Sequence, residues 1–220
     1  MVSTTDDTQF WDKAARKYAA APIKDTIGYE RTIERTREIL GATDTVLEVG
    51  CGTGTTALKL APAVGRLIAT DVSSEMIAIA RGKVATAGCT NVDFAVAAAG
   101  DVPGPDAAYN AVLAFNLLHL IPARPSTLSS LHRRLKPGGL FISKTPCLSE
   151  MNPLIRYAIP IAQFAGKAPY VSCFSAAELE GEIEAAGFTI IERARHGSTR
   201  KDARIFLVAQ KPTDQSPKRG

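Results

Sequence analysis

From Glu48 to Gly54 the chain reads E-V-G-C-G-T-G, directly after the β-branched and apolar run Thr45–Val49. The alternating glycines Gly50, Gly52 and Gly54 allow positive φ and let a ligand lie against bare backbone. Where such a turn joins a strand to a helix, the N–H groups point outward and cradle a nucleotide-type ligand. A dinucleotide turn, G-x-G-x-x-G, needs glycine at position 55, where Thr55 stands. Glu48, two residues before the first glycine, repels a pyrophosphate and suits a cationic amino-acid group. These residues favour a positively charged adenosine ligand. Asp71 lies 17 residues past Gly54, at the end of the run Arg66–Asp71. A carboxylate there can accept both hydroxyls of a ribose.

Elements that place these residues follow from pattern and punctuation. Residues 8–20 have helical spacing, with Phe10, Trp11, Ala14 and Tyr18 on adjoining faces, and Pro22 breaks the run. Asp25 caps a second helix to about Leu40, whose interleaved Glu30, Glu34, Glu38 and Arg31, Arg35, Arg37 mark a solvated face. Strand and helix then alternate: a helix over Thr53–Ala63, the strand Arg66–Asp71, and a helix from Ser73 or Ser74 to about Ala87. Further strands are predicted at Val92–Val96, Tyr109–Phe115 and Leu140–Thr145, with a helix over Pro125–Leu135 stopped by Lys136-Pro137-Gly138-Gly139. Alternation of this kind implies a parallel sheet with helices on both faces. Ser175 with Glu178 is a capping box for a helix to about Ala186. The strands Thr189–Ala194 and Arg204–Gln210 are joined by a short basic loop, so they pair antiparallel.

In an open α/β sheet, ligands bind beyond the carboxyl ends of the strands. That rule picks Gly50–Gly54, Asp71–Val72, Val96–Ala99, Asn116–His119, Thr145–Cys147 and His196–Arg204.

The Glu-led glycine turn resembles the first motif of the class I S-adenosylmethionine (SAM)-dependent methyltransferases, and the resemblance runs over about Thr45–Lys211. It implies a three-layer Rossmann-like sandwich, with a seven-stranded, mostly parallel sheet and an antiparallel last strand. It also implies SAM as cofactor, held by Glu48, Gly50, Cys51, Gly52, Gly54, Asp71 and Val72, with Met76 over the adenine. The family's G-D-A after the third strand is here Ala97-Ala98-Ala99, so the polar adenine contact falls to backbone at Ala98 and Ala99, or to Asp101. Tyr109-Asn110-Ala111-Val112 matches the family's F-D-x-V with Asn for Asp, and Asn116 and Leu117 follow at the cofactor.

Nucleic-acid methylation is disfavoured: the proline-aromatic motif of base-amino methyltransferases is missing, and Pro146–Cys147 follows the wrong strand for a cytosine-C5 enzyme. The nearest look-alikes are small stand-alone enzymes of the quinone-biosynthesis type. In that setting His119 is the candidate base and Tyr18 a second candidate catalytic residue, and Tyr18 with Trp11 can fold over the site as a lid. The apolar run within residues 146–174, Pro153–Phe164, is expected to wall a small-molecule or lipid-like acceptor, and the loop bearing His196, Arg200, Lys201 and Arg204 to face an acidic group on it. A SAM-binding regulatory protein without turnover is the rival, and an intact pocket between Tyr18, Asn116 and Cys147 favours the enzyme.

Composition sets the outer bounds. A chain of 220 residues supports one domain, with residues 1–42 as a helical lid and 211–220 as a frayed tail. The net charge of +4 is too small to argue for nucleic acid. Cys51, Cys89, Cys147 and Cys173 lie far apart with no metal spacing, so no metal is expected and reduced thiols fit a cytoplasmic protein. The most apolar stretch contains Arg156 and Pro160 and is too short to span a bilayer. A monomer or homodimer is expected.

Overall fold

A computed structural model describes residues 4–151, 168–199 and 202–213. The elements run α1 (Thr4–Ala20), α2 (Thr26–Ile39), β1 (Thr45–Val49), α3 (Thr55–Leu60), β2 (Arg66–Asp71), α4 (Ser74–Ala87), β3 (Val92–Val96) and β4 (Tyr109–Phe115). After them come α5 (Arg124–Arg134), β5 (Leu135–Pro146), α6 (Ala176–Ala185), β6 (Thr189–Ala194) and β7 (Arg204–Gln210). The seven strands form one sheet in the order β3-β2-β1-β4-β5-β7-β6, and β7 alone runs antiparallel to its neighbours. This is the doubly wound sheet that the alternation predicts.

Parallel strands covered on both faces read as apolar runs, and the two cores show why. One face packs Leu47, Val112 and Phe141 against Leu128 and Leu131 of α5 and Leu179 and Ile183 of α6. The other packs Val46, Leu113 and Phe206 against Ile33 of α2, Leu60 of α3 and Ile77 of α4. Leu47 is fully buried, so its truncation to Ala costs about 2–5 kcal/mol.

Caps set the helix starts. Asp25 accepts from Gly28 N at 3.0 Å, and Ser73 Oγ from Met76 N at 3.1 Å. Ser175 and Glu178 complete a reciprocal capping box. Several boundaries differ from the sequence pattern, and α1 begins at Thr4, four residues before the helical spacing does. α3 begins at Thr55, not Thr53, because Gly54 at φ +74° still belongs to the turn. β5 begins at Leu135, so Lys136–Gly139 is drawn into the strand instead of standing apart as a stop, with Leu135 paired to Tyr109. Lys211, expected to fray, is anchored: its N–H donates to Gly139 O at 2.9 Å and its Nζ to Leu135 O at 2.8 Å. The charge-striped face of α2 is only partly solvated, since Arg35 forks onto Glu192 of β6 at 2.7 Å.

Candidate active site

The turn after β1 divides its glycines by task. A Cβ on Gly50 would stand 2.5 Å from Leu117 Cδ1, so this glycine lets the loop after β4 close over the turn. At Gly52 the nearest atom is a Tyr18 ring carbon at 3.7 Å, which leaves the backbone bare toward open space. Gly54, assigned to the cofactor with the other two, does not line the cavity. A Cβ there would meet Phe94 Cζ at 2.7 Å and Ala80 Cβ at 2.8 Å, so its role is close packing of the helix layer on the sheet.

Asp71 holds the turn from the neighbouring strand. Its Oδ2 accepts from Gly52 N at 2.8 Å and its Oδ1 from Ser73 N at 2.9 Å. Burial pushes its carboxyl up despite these bonds. A carboxylate offers about four lone-pair sites, so two remain for a ligand. Glu48 is 2% exposed, and its Oε2 has no hydrogen-bond partner among the described residues. Burial, helped by Asp71, pushes its carboxyl up to about 8. Burial also pushes the Cys51 thiol well above its ordinary value, so it is no nucleophile at neutral pH.

One cavity of about 680 Å³ collects most of the predicted residues: Glu48, Gly50, Cys51, Gly52, Asp71, Val72, Met76, Ala98, Ala99, Asn116, Leu117 and His119. Met76, at 2% exposed, is both core and cavity wall. Asp101 reaches the lining beside Ala98, while its own N–H donates to Ala98 O at 3.0 Å. Ser126 and Thr127 of α5 also line this end, polar groups that the strand-end rule misses because they sit on a helix. Asn116 adopts φ +52°, which asparagine tolerates better than most residues, and its N–H donates to Lys144 O at 2.7 Å.

His119 sits in a short helical turn, Leu118–Leu120, with Nδ1 buried and without a partner among the described residues. Burial pulls its pKa down to about 4, so the ring is neutral at pH 7. The Tyr18 ring is 54% exposed at the cavity mouth, and partial burial with the nearby acids Asp71 and Glu48 keeps its hydroxyl protonated. Trp11 and Asp7 of α1 line the same cavity. Asp12 ties α1 down, accepting from Ser73 Oγ at 2.6 Å.

Other predicted positions are placed elsewhere. Cys147 is fully buried and does not line this cavity, although Pro146 does. His196 donates to or accepts from Thr32 Oγ1 at 3.1 Å, and Arg204 pairs with Asp25 at 3.1 Å and Asp202 at 2.7 Å. Those two basic groups are therefore engaged within the fold. Pro153–Phe164, Arg200 and Lys201 lie outside the described residues. Among the described residues no group of three His, Cys, Asp or Glu side chains could hold a metal ion. No helix among them is long and apolar enough to cross a membrane.

The cradle fits SAM on three counts. Glu48 leaves a buried carboxyl oxygen, Oε2, without a partner among the described residues and so open to its ammonium, Asp71 keeps free lone pairs for its ribose, and Gly52 leaves room at the backbone. Residues 46–139 match the family model of the methyltransferase domain. The demethylmenaquinone methyltransferase of Symbiobacterium thermophilum is 30% identical over 158 residues, which is 68% of this chain and 61% of that protein. The chain thus spans about three-fifths of that relative. A SAM-dependent methyltransferase from Methanosarcina mazei superposes with TM-score 0.70 at 21% identity, over 82% of this chain and 98% of that one. The [4+2]-cyclase SpnF superposes with TM-score 0.66 at 20% identity, over 84% and 81%. At those identities the superpositions establish the fold alone. The domain match shows that this chain carries a methyltransferase domain over residues 46–139, in the fold shared by S-adenosylmethionine-dependent methyltransferases.

Proposed function

We propose that the protein transfers the methyl group of SAM to a small, partly apolar acceptor. The observation that carries this reading is Glu48 beside the glycine turn, its buried Oε2 without a partner among the described residues, in the same cavity as Asp71. When bound, SAM supplies a methyl carbon on a sulfonium sulfur, which keeps the bonding electron pair as that carbon is displaced. The protein then has to position the acceptor, exclude water and accept a proton where the acceptor carries one. Glu48 holds the ammonium, Asp71 the ribose, and Val72 and Met76 flank the adenosine. The neutral His119 ring has a free nitrogen to take the acceptor's proton. Residues 1–42 act as a lid through Trp11 and Tyr18.

The relative named a demethylmenaquinone methyltransferase supports a quinone-like or lipid-like acceptor as the finer form of this reading. Incubation with tritiated-methyl SAM and a cell extract tests it. Label is expected in the small-molecule or lipid fraction, and label confined to tRNA or DNA overturns it. A second reading, SAM binding without methyl transfer, draws support from a [4+2]-cyclase having this fold. SAM that binds calorimetrically yet leaves every fraction unlabelled selects that reading.

A further inference from the structure

The cofactor cavity does not account for the chamber beside it. About 270 Å³ opens between α1, α2 and the carboxyl end of β5 beside the start of β7. At ~30 Å³ per water that is room for about nine waters, enough for a small ring with a short substituent. The chamber is lined by none of Glu48, Asp71 or Met76, and it meets the larger cavity along Tyr18, Cys51, Thr56, Phe115 and Asn116.

Lys144 lines it and is 4% exposed. Its Nζ donates to Thr32 Oγ1 at 2.8 Å and to Gly28 O at 3.1 Å, both neutral, and its third donor has no partner among the described residues. Asp25, which also lines the chamber, and Asp202 act on Lys144 through space, but neither pairs with it. Asp25 caps α2 and pairs with Arg204, and Asp202 takes Arg204 Nε with Oδ1 while its Oδ2 has no partner among the described residues. A buried ammonium offered only neutral oxygens is costly until an anion joins it. The walls are mixed: Tyr29, Ile23, Ile33 and Phe115 give an apolar side, while Asp25, Arg204 and the threonines of α2 and α3 give a polar one.

We propose that this chamber seats the methyl acceptor by a carboxylate bound to Lys144, so that the acceptor is a small carboxylic acid with an apolar body. The carboxylate is the handle and another acceptor atom takes the methyl group. The proposal rests on the SAM reading of the larger cavity, where Glu48 already serves the cofactor's charged end.

Wild-type protein, saturated with S-adenosylhomocysteine, is titrated calorimetrically with benzoate and with benzyl alcohol, its neutral counterpart. Benzoate is expected to bind about ten-fold or more tightly than the alcohol, since a charge-assisted bond is at stake. Lys144→Met is expected to remove that preference while leaving SAM affinity unchanged. Equal affinity for the two probes in wild type, or benzoate binding untouched by Lys144→Met, overturns the proposal. So does a fall in SAM affinity in Lys144→Met, which would assign the lysine to the cofactor's own carboxylate. If Lys144→Met does not fold, the wild-type preference decides. Wild type that binds SAM but not benzoate sinks the carboxylate seat alone, whereas wild type that does not bind SAM removes the cofactor reading beneath it.

Discussion

The larger cavity keeps a buried acid, Glu48, whose Oε2 has no partner among the described residues, while the chamber across the Tyr18–Asn116 seam keeps a buried ammonium, Lys144, bonded only to neutral oxygens. The two also differ in how the chain builds them. Glu48, Gly50, Gly52 and Asp71 lie within 24 residues of one another, on adjacent strands and the turn between them. The chamber brings together Thr32 of α2, Lys144 of β5 and Arg204 at the start of β7. A cofactor site can be carried by a local motif. An acceptor site assembled from distant elements has no local signature to carry.

Breaking the larger cavity gives the largest expected effects. Gly50→Ala puts a Cβ 2.5 Å from Leu117 Cδ1 at φ +65°. The left-handed backbone alone costs ~1–2 kcal/mol, and displacement of Leu117 adds to it. A clear drop in melting temperature and loss of calorimetric SAM binding are expected. Asp71→Ala removes the ribose acceptor and frees Gly52 N. SAM affinity should fall by about 1–3 kcal/mol, and an unchanged affinity would show that Asp71 serves only the turn.

Glu48 gives a pH signature to the same cavity. The unfolded chain ionises it near 4.5, whereas the fold holds its proton up to about 8. The folded state therefore binds the extra proton between those values, so the stability this group contributes is present below 4.5 and is lost as pH rises through about 8. The slope is at most ~1.4 kcal/mol per pH unit, and Glu48→Gln should flatten it in denaturant titrations. SAM affinity should rise over the same window, as the carboxylate ionises opposite the ammonium.

Smaller effects sharpen the contrast from the other side. Thr32→Val deletes one acceptor of Lys144 and should cost about 1 kcal/mol of stability with SAM affinity unchanged. Tyr18→Phe, at the seam, should change stability and SAM affinity by less than ~0.5 kcal/mol, because the ring is half exposed. A large loss of turnover in Tyr18→Phe would instead give its hydroxyl a part in the chemistry.

What the sequence made legible follows from the same distinction. Strand ends at Val49, Asp71, Phe115 and Gln210 coincide with the pattern because the apolar runs stop at polar or glycine residues, and Val96 coincides although alanines follow it. Most residues lining the larger cavity are legible because the strand-end rule and the Glu-led turn converge on them. Gly54 lies outside that lining, because spacing cannot tell a glycine that faces a cavity from one that faces Phe94. Lys144 was passed over one residue short of the strand-end window, although a lysine inside the run Leu140–Thr145 is itself a signal. Only the sheet, by setting Lys144 under α2, gives that signal a meaning.

The placement of β7 has a consequence for the order of assembly. Among the described residues β6 has no strand neighbour other than β7, and β7 also pairs with β5, so the two last strands join the sheet as a hairpin. Until that hairpin docks, Arg204 is not beside Pro146 and the second chamber lacks one wall, whereas β1, β2 and β4 already frame the cofactor turn. A growing chain emerges N-terminal part first. It can therefore present a place for the methyl donor before it presents one for the molecule to be methylated.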